Sequence, residues 1–264
     1  MGKQALLVIS FGTSYHDTYH KTIEAICEDL RAAFPDSAFF LAYTSKMIIK
    51  KLKKRDGISV MTPAEAMEAI VAAGCDEVLC QTTHVINGHE FYGMLHELRP
   101  YLDRIPSIKI GRPLLSSHED FEAVTDIVLN QIPELSPVDA AVLMGHGTEH
   151  HANAAYPAMD YYLKALGGGR IFMATVEGYP TLDDVIAHLK AQHIRRVTLM
   201  PFMVVAGDHA LNDMAGDDPD SWKNRLSAEG FDVNCMVKGL GELPEVRALF
   251  AAHLQHAVDL KELK

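Results

Sequence analysis

The sequence predicts an α/β protein of two similar halves, each a parallel sheet flanked by helices. Three observations lead there. Short apolar runs alternate with helix patterns of about 10–15 residues, as in βαβ units. The chain also repeats itself: Thr62 through Gly88 aligns without a gap with Thr181 through Gly207, at a constant offset of 119. Finally, two of the apolar runs end alike, in Ser10-Phe11-Gly12-Thr13 and Gly145-His146-Gly147-Thr148. Repetition across helix, strand and loop favours duplication over the chance likeness of any two βα units. The boundary falls near Glu134-Leu135-Ser136-Pro137, giving halves 1–136 and 137–264.

The elements follow in order. Ala5 to Ser10 is a continuous apolar run, as expected of a strand buried on both faces. A helix runs from about Asp17 to Phe34 and stops at Pro35. Ala38 to Tyr43 reads as the second strand. Thr62-Pro63-Ala64-Glu65 has Thr as N-cap, Pro at the first helical position and Glu completing a capping box, and this helix ends at Gly74. Glu77 to Thr83 is the third strand, and Ser117-His118-Glu119-Asp120 starts another helix. In the second half the strands are Val138 to Met144, Ile171 to Val176 and Val197 to Val205. A C-terminal helix places His253 and His256 on the surface.

Composition narrows the functional classes. The chain has 264 residues, 24 basic and 35 acidic, for a formal charge of −11. An acidic balance argues against a duplex nucleic acid partner. There is no signal peptide pattern, and no apolar stretch approaches the roughly 18 residues of a membrane span. Cys27, Cys75, Cys80 and Cys235 form no CxxC and read as buried thiols, so a cytoplasmic location is expected. No GxGxxG follows the first strand and no Walker-type GxxxxGK[ST] occurs, so no nucleotide is expected. GxSxG is absent too. The unusual count is histidine, with 14 residues.

Ligands of open parallel sheets bind beyond the carboxyl ends of strands. In the second half, His146, Glu177 and His209 stand at three successive strand ends. Their counterparts in the first half are Phe11, Ser45 and Glu90. One histidine at a strand end is ordinarily a loop residue. Two with a carboxylate at adjacent ends form a set that holds a divalent ion with positions left open, or moves protons near neutral pH. Ser10 and Thr13 are expected at the corresponding edge of the first half. His84, His89 and His96 are a weaker candidate set, and His150 and His151 read as a surface run.

One segment breaks the acidic balance. Lys46 to Arg55 carries six of the 24 basic residues. It is either a solvated helix face or a docking surface for a polyanionic small molecule, led by Lys46 and Lys50.

These stretches resemble a known family, the anaerobic cobalt chelatases of the CbiK type, within the class II chelatases. The resemblance covers essentially the whole chain. It is carried by Leu6 to Thr18, Lys46 to Ile49, Arg55 to Ile58, Pro113 to His118 and Met144 to Gly147, and by Val205 to Ala215 with Asp217 to Lys223. It implies a chelatase-like fold, with the two halves facing a central cleft, and ATP-independent insertion of Co2+ into sirohydrochlorin, a tetrapyrrole, in cobalamin synthesis. It implies His146 and His209 as active-site histidines with Glu177 as acidic partner. Ser10, Thr13, Lys46 and Lys50 are expected as substrate contacts from their strand-end position and the basic run. A homo-oligomer is expected. Some relatives carry haem at a subunit interface, which makes His96 the haem-ligand candidate here. The alternatives are Fe2+ insertion, into sirohydrochlorin or a porphyrin, and a non-catalytic metal or haem binder.

Overall fold

The computed structural model describes residues 2–263. In chain order the strands are β1 (Gln4–Ser10), β2 (Ala38–Tyr43), β3 (Glu77–Thr82), β4 (Ser107–Gly111), β5 (Asp139–Gly145), β6 (Ile171–Thr175), β7 (Arg196–Pro201), β8 (Asp232–Cys235) and β9 (Val258–Asp259). The helices are α1 (His16–Tyr19), α2 (Ala25–Ala33), α3 (Lys46–Asp56), α4 (Pro63–Ala72), α5 (His89–Leu98), α6 (His118–Leu129), α7 (Ala155–Leu166), α8 (Leu182–Ala191), α9 (Trp222–Ala228) and α10 (Pro244–Gln255). A π turn at His20–Glu24 joins α1 and α2 into the single run expected from the sequence. No helix among the described residues is long and apolar enough to cross a membrane.

The chain forms two sheets of matching order, β2-β1-β3-β4 and β6-β5-β7-β8, parallel throughout. The repeat is therefore structural: β3 and β7 lie 119 residues apart at both ends. Thr62 and Thr181 both cap their helices through capping boxes, with Glu65 and Asp184. The short β9 adds an antiparallel edge to the first sheet, against β4.

Each sheet has its own core. In the first, Leu7, Ile9, Val78 and Cys80 pack under Met67, Ile70, Phe91 and Met94 of α4 and α5. In the second, Val142, Met144, Phe172 and Leu199 pack with Val185 and Leu189 of α8 and with Trp222 and Leu226 of α9.

Packing divides the chain differently from the expected halves 1–136 and 137–264. One compact unit is 1–116 with 241–264, and the other is 117–240. α10 returns to the first unit, packing on α2, β3 and β4, with Val246, Phe250 and Leu254 buried. Three buried apolar side chains contribute about 1.5–3 kcal/mol each. That outweighs the half-exposed Arg247–Asp29 ion pair, also between α10 and α2, at 2.6 Å. α6 goes with the second unit because it packs on α7, where Phe121 stacks on Tyr162 at 5.6 Å.

Other differences have simple causes. β4 has five residues and β9 two, too short to carry a period, and β8 is a half-exposed edge strand. The strand expected over Val197 to Val205 ends at Pro201, and residues 202–207 form a loop. His253, expected on the surface, is buried and its Nδ1 meets the Arg112 carbonyl at 3.1 Å.

Candidate active site

The site is built at the carboxyl ends of β6, β5 and β7, which lie side by side in the second unit. The sheet ladder continues past the strands. Val176 N–H donates to Gly145 O at 3.0 Å, and Glu177 N–H to His146 O at 2.8 Å. Those bonds set Glu177 beside His146.

Glycine makes this approach available. Gly147 has φ +82°, and a Cβ there would lie 2.6 Å from Gly178 N and 2.9 Å from the Glu177 carbonyl carbon. A Cβ on Gly145 would lie 2.5 Å from the ring of Tyr156. Tyr156 is a buried floor under the loop, and that burial pushes its hydroxyl pKa up to about 12. Asn153 straps the two loops together: its Oδ1 accepts from Thr148 N–H at 3.1 Å and its Nδ2 donates to Tyr179 O at 2.8 Å.

His209 reaches the site from a π turn, His209–Met214, that follows the 202–207 loop. Buried Ala210 and Met214 hold the inner side of that turn. The rings of His146 and His209 meet edge to face, with centroids 4.8 Å apart. His146 Nδ1 lies 3.8 Å from Glu177 Oε2. One ligand atom from each of His146, Glu177 and His209 lies within 4.8 Å of the others.

The structure thus gathers the three residues singled out from strand ends. Their chemistry suits a divalent ion: two imidazoles and a carboxylate, without thiolate. Two ligands on bonds of about 2.1 Å are at most about 4.2 Å apart across an ion. The set therefore closes by several tenths of an ångström around one, and all three side chains are exposed enough to do so. His146 Nδ1–H donates to Gly147 O at 2.9 Å, since a carbonyl only accepts, which leaves Nε2 as its lone-pair atom.

Sequence reading missed Asp213, whose Oδ2 accepts from His209 Nδ1 at 2.5 Å. The signal was its spacing of four from His209. Asn153 was missed too, and nothing in its local pattern marks it.

The other expected residues are elsewhere. Ser10 and Thr13 are buried at 1% and 4% exposure, and their hydroxyls accept from Gly12 N–H and Tyr15 N–H within their own loop. Both hydroxyls shape the turn that leaves β1. Lys46 and Lys50 are exposed on α3. His89 and His96 share α5 and both are exposed. His84 lies at the end of β3 against Thr82, its Nε2 sealed from solvent without a partner. Burial pushes its pKa down to about 4. His150 caps the short helix His151–Ala154, with its ring against His151 at 3.9 Å.

Residues 4–259 match the cobalt chelatase (CbiK) family. The chain is 46% identical over 264 residues to the sirohydrochlorin cobaltochelatase of Salmonella typhimurium, covering 98% of this chain and 97% of that one. It is 29% identical over 265 residues to the sirohydrochlorin cobaltochelatase CbiKC of Nitratidesulfovibrio vulgaris, covering 98% and 92%. Among solved structures it is similar to SirB from Bacillus subtilis, determined with Fe3+, at a TM-score of 0.64 and 14% identity, covering 96% of this chain and 95% of that one. It is also similar to CbiX, the terminal enzyme of siroheme biosynthesis in denitrifying bacteria, at 0.58 and 17%, covering 96% and 99%. At such identities these two structures speak to the fold alone.

Proposed function

The chain belongs to the cobalt chelatase (CbiK) family, and from that premise we propose that it inserts Co2+ into sirohydrochlorin without nucleotide hydrolysis. The observation that carries the metal site is the convergence of His146, Glu177 and His209 at three adjacent strand ends, with ligand atoms within 4.8 Å.

The chemistry asks for little else. Co2+ enters as substrate, two pyrrole N–H bonds break, and two protons leave as four Co–N bonds form. His146 and His209 supply neutral imidazole nitrogens for the ion. Glu177 adds negative charge that favours the cation and offers an oxygen that takes a proton. A loose set of nitrogen and oxygen donors binds the ion only moderately, which suits a site that must hand it over.

The polycarboxylate rim of sirohydrochlorin calls for cations, and α3 is the basic element of this acidic chain. Thr62 lies 19 positions after Tyr43 at the end of β2, whereas Thr181 lies six positions after Thr175 at the end of β6. α3 lies in this thirteen-residue excess, without a counterpart in the second repeat. Lys51 is engaged over the Tyr15 ring at 5.6 Å, and Arg55 donates to Ser14 O and pairs with Asp56. Helical spacing leaves Lys46, Lys50, Lys53 and Lys54 on one face, all exposed. In this reading Lys46 and Lys50 lead the contacts to substrate carboxylates.

The test is steady-state insertion followed by the absorbance change of the macrocycle. Wild type is expected to turn over with Co2+, and His146→Ala and His209→Ala to lose at least about a hundredfold in kcat/KM, as for removal of a catalytic metal ligand. Full activity in either variant removes that histidine from the site. Stoichiometric binding without turnover in the wild type would contradict the enzyme reading.

A further inference from the structure

The two histidines of the site are backed by different partners. His146 Nδ1 rests on a backbone carbonyl, a neutral acceptor. His209 Nδ1 rests on the Asp213 carboxylate at 2.5 Å. Both His209 and Asp213 stand on the π turn His209–Met214, whose wide ring brings residue i+4 almost over residue i. With Ala210 and Met214 buried beneath, the turn presents this pair outward.

A histidine four residues from a carboxylate is common on helices, and this chain has others. His20 and Glu24 make the same 2.5 Å contact on the other π turn, and His118 and Glu122 lie at 3.3 Å on α6. Those are surface pairs with histidine side chains 60% and 64% exposed, of the kind that contributes little. His209 differs in two respects. Its side chain is 32% exposed, and its ring meets that of His146 within the set that also contains Glu177.

A carboxylate accepts and does not donate, so the proton of neutral His209 sits on Nδ1 and its lone pair on Nε2. We infer that Asp213 is a positioning residue, which holds His209 as the Nδ1–H tautomer with Nε2 presented to the incoming Co2+. The inference rests on reading His146, Glu177 and His209 as the metal set. It adds the outer partner that fixes one ligand's orientation, a role whose loss weakens metal binding by about 10–100-fold.

The experiment uses the full chain and two readouts. The first is 15N–1H correlation of the histidine rings in metal-free protein at about pH 8.5, well above the ordinary histidine range. Wild-type His209 is expected as the Nδ1–H tautomer, and Asp213→Ala as a mixture of both. The second is titration with Co2+ alone, read by its visible absorption. Asp213→Ala and His209→Ala are each expected to raise Kd at least tenfold, and the double variant to match His209→Ala. The pair of outcomes separates the two readings. If His209→Ala weakens Co2+ binding but Asp213→Ala does not, the positioning role falls and the metal set stands. If His209→Ala binds Co2+ as wild type does, the metal set itself falls. Should Asp213→Ala fail to fold, the wild-type tautomer still decides: His209 carrying its proton on Nε2 overturns the inference.

Discussion

Replacing Gly147 by alanine tests how the site is assembled, because this residue lets the His146 and Glu177 loops touch. Its φ of +82° lies in the left-handed region, where a Cβ costs about 1–2 kcal/mol. The added methyl would also sit 2.6 Å from Gly178 N, 2.8 Å from Thr175 Cβ and 2.9 Å from the Glu177 carbonyl carbon. These are backbone atoms and a strand residue, none of which can swing aside. Relieving the overlap to ordinary contact requires the 177–178 loop to move by about 0.5–1 Å, at a further cost of about 1–3 kcal/mol. The total is about 2–5 kcal/mol. Gly57→Ala is the control, since Gly57 has φ +70° but nothing within 4 Å of an added Cβ, so only the backbone cost applies. Urea unfolding of both variants, with unchanged m-values, reads the difference. Gly147→Ala is also expected to weaken Co2+ binding by carrying Glu177 away from His146, whereas Gly57→Ala is not. A Gly147→Ala variant as stable as Gly57→Ala, with wild-type Co2+ affinity, would refute the close-approach argument.

Other outcomes follow from the same structure. Burial holds His84 near 4 against 6.5 unperturbed, so on acidification the unfolded chain takes up this proton first. Native stability therefore falls as pH drops from about 6.5 to 4, by on the order of 3 kcal/mol from this group. His84→Gln should flatten that window in urea titrations at stepped pH, and an unchanged slope would contradict it. Charge reversal at Lys50 and Lys53 together should raise KM for sirohydrochlorin about tenfold with kcat within twofold, more steeply at low salt. An unchanged KM would remove α3 from substrate docking. Thr181→Ala breaks the capping box on α8 and should cost about 1 kcal/mol of unfolding free energy in urea titration, and an unchanged midpoint would contradict it.

The fold was largely readable because its strands are short apolar runs at a regular rhythm and because the repeat keeps a constant offset from Thr62 to Gly88. That offset survives as matched strands and matched capping boxes. Readability stopped where long-range packing decides. Nothing local in α10 says that it returns to the first unit, because that follows from what Val246 and Phe250 find to bury against. His253 was misplaced for the same reason. At the site, strand ends pointed to His146, Glu177 and His209, which the fold brings together, and to Ser10 and Thr13, which bond within their own loop. A hydroxyl at a strand end can turn inward to its own loop, as both of these do. Asp213 and Asn153 went unseen because a supporting contact depends on turn geometry rather than on residue type.

The central claim is that one Co2+ is held by the second unit's strand ends. Diffraction from crystals grown with Co2+ and the tetrapyrrole, with anomalous signal collected at the cobalt edge, tests it most directly. The expected result is a single strong peak within about 2.0–2.3 Å of a nitrogen of His146, a nitrogen of His209 and a Glu177 oxygen, or displaced from them into the ring by the length of the transfer step. A peak at His84, His89 or His96, with none near His146 and His209, would contradict the account.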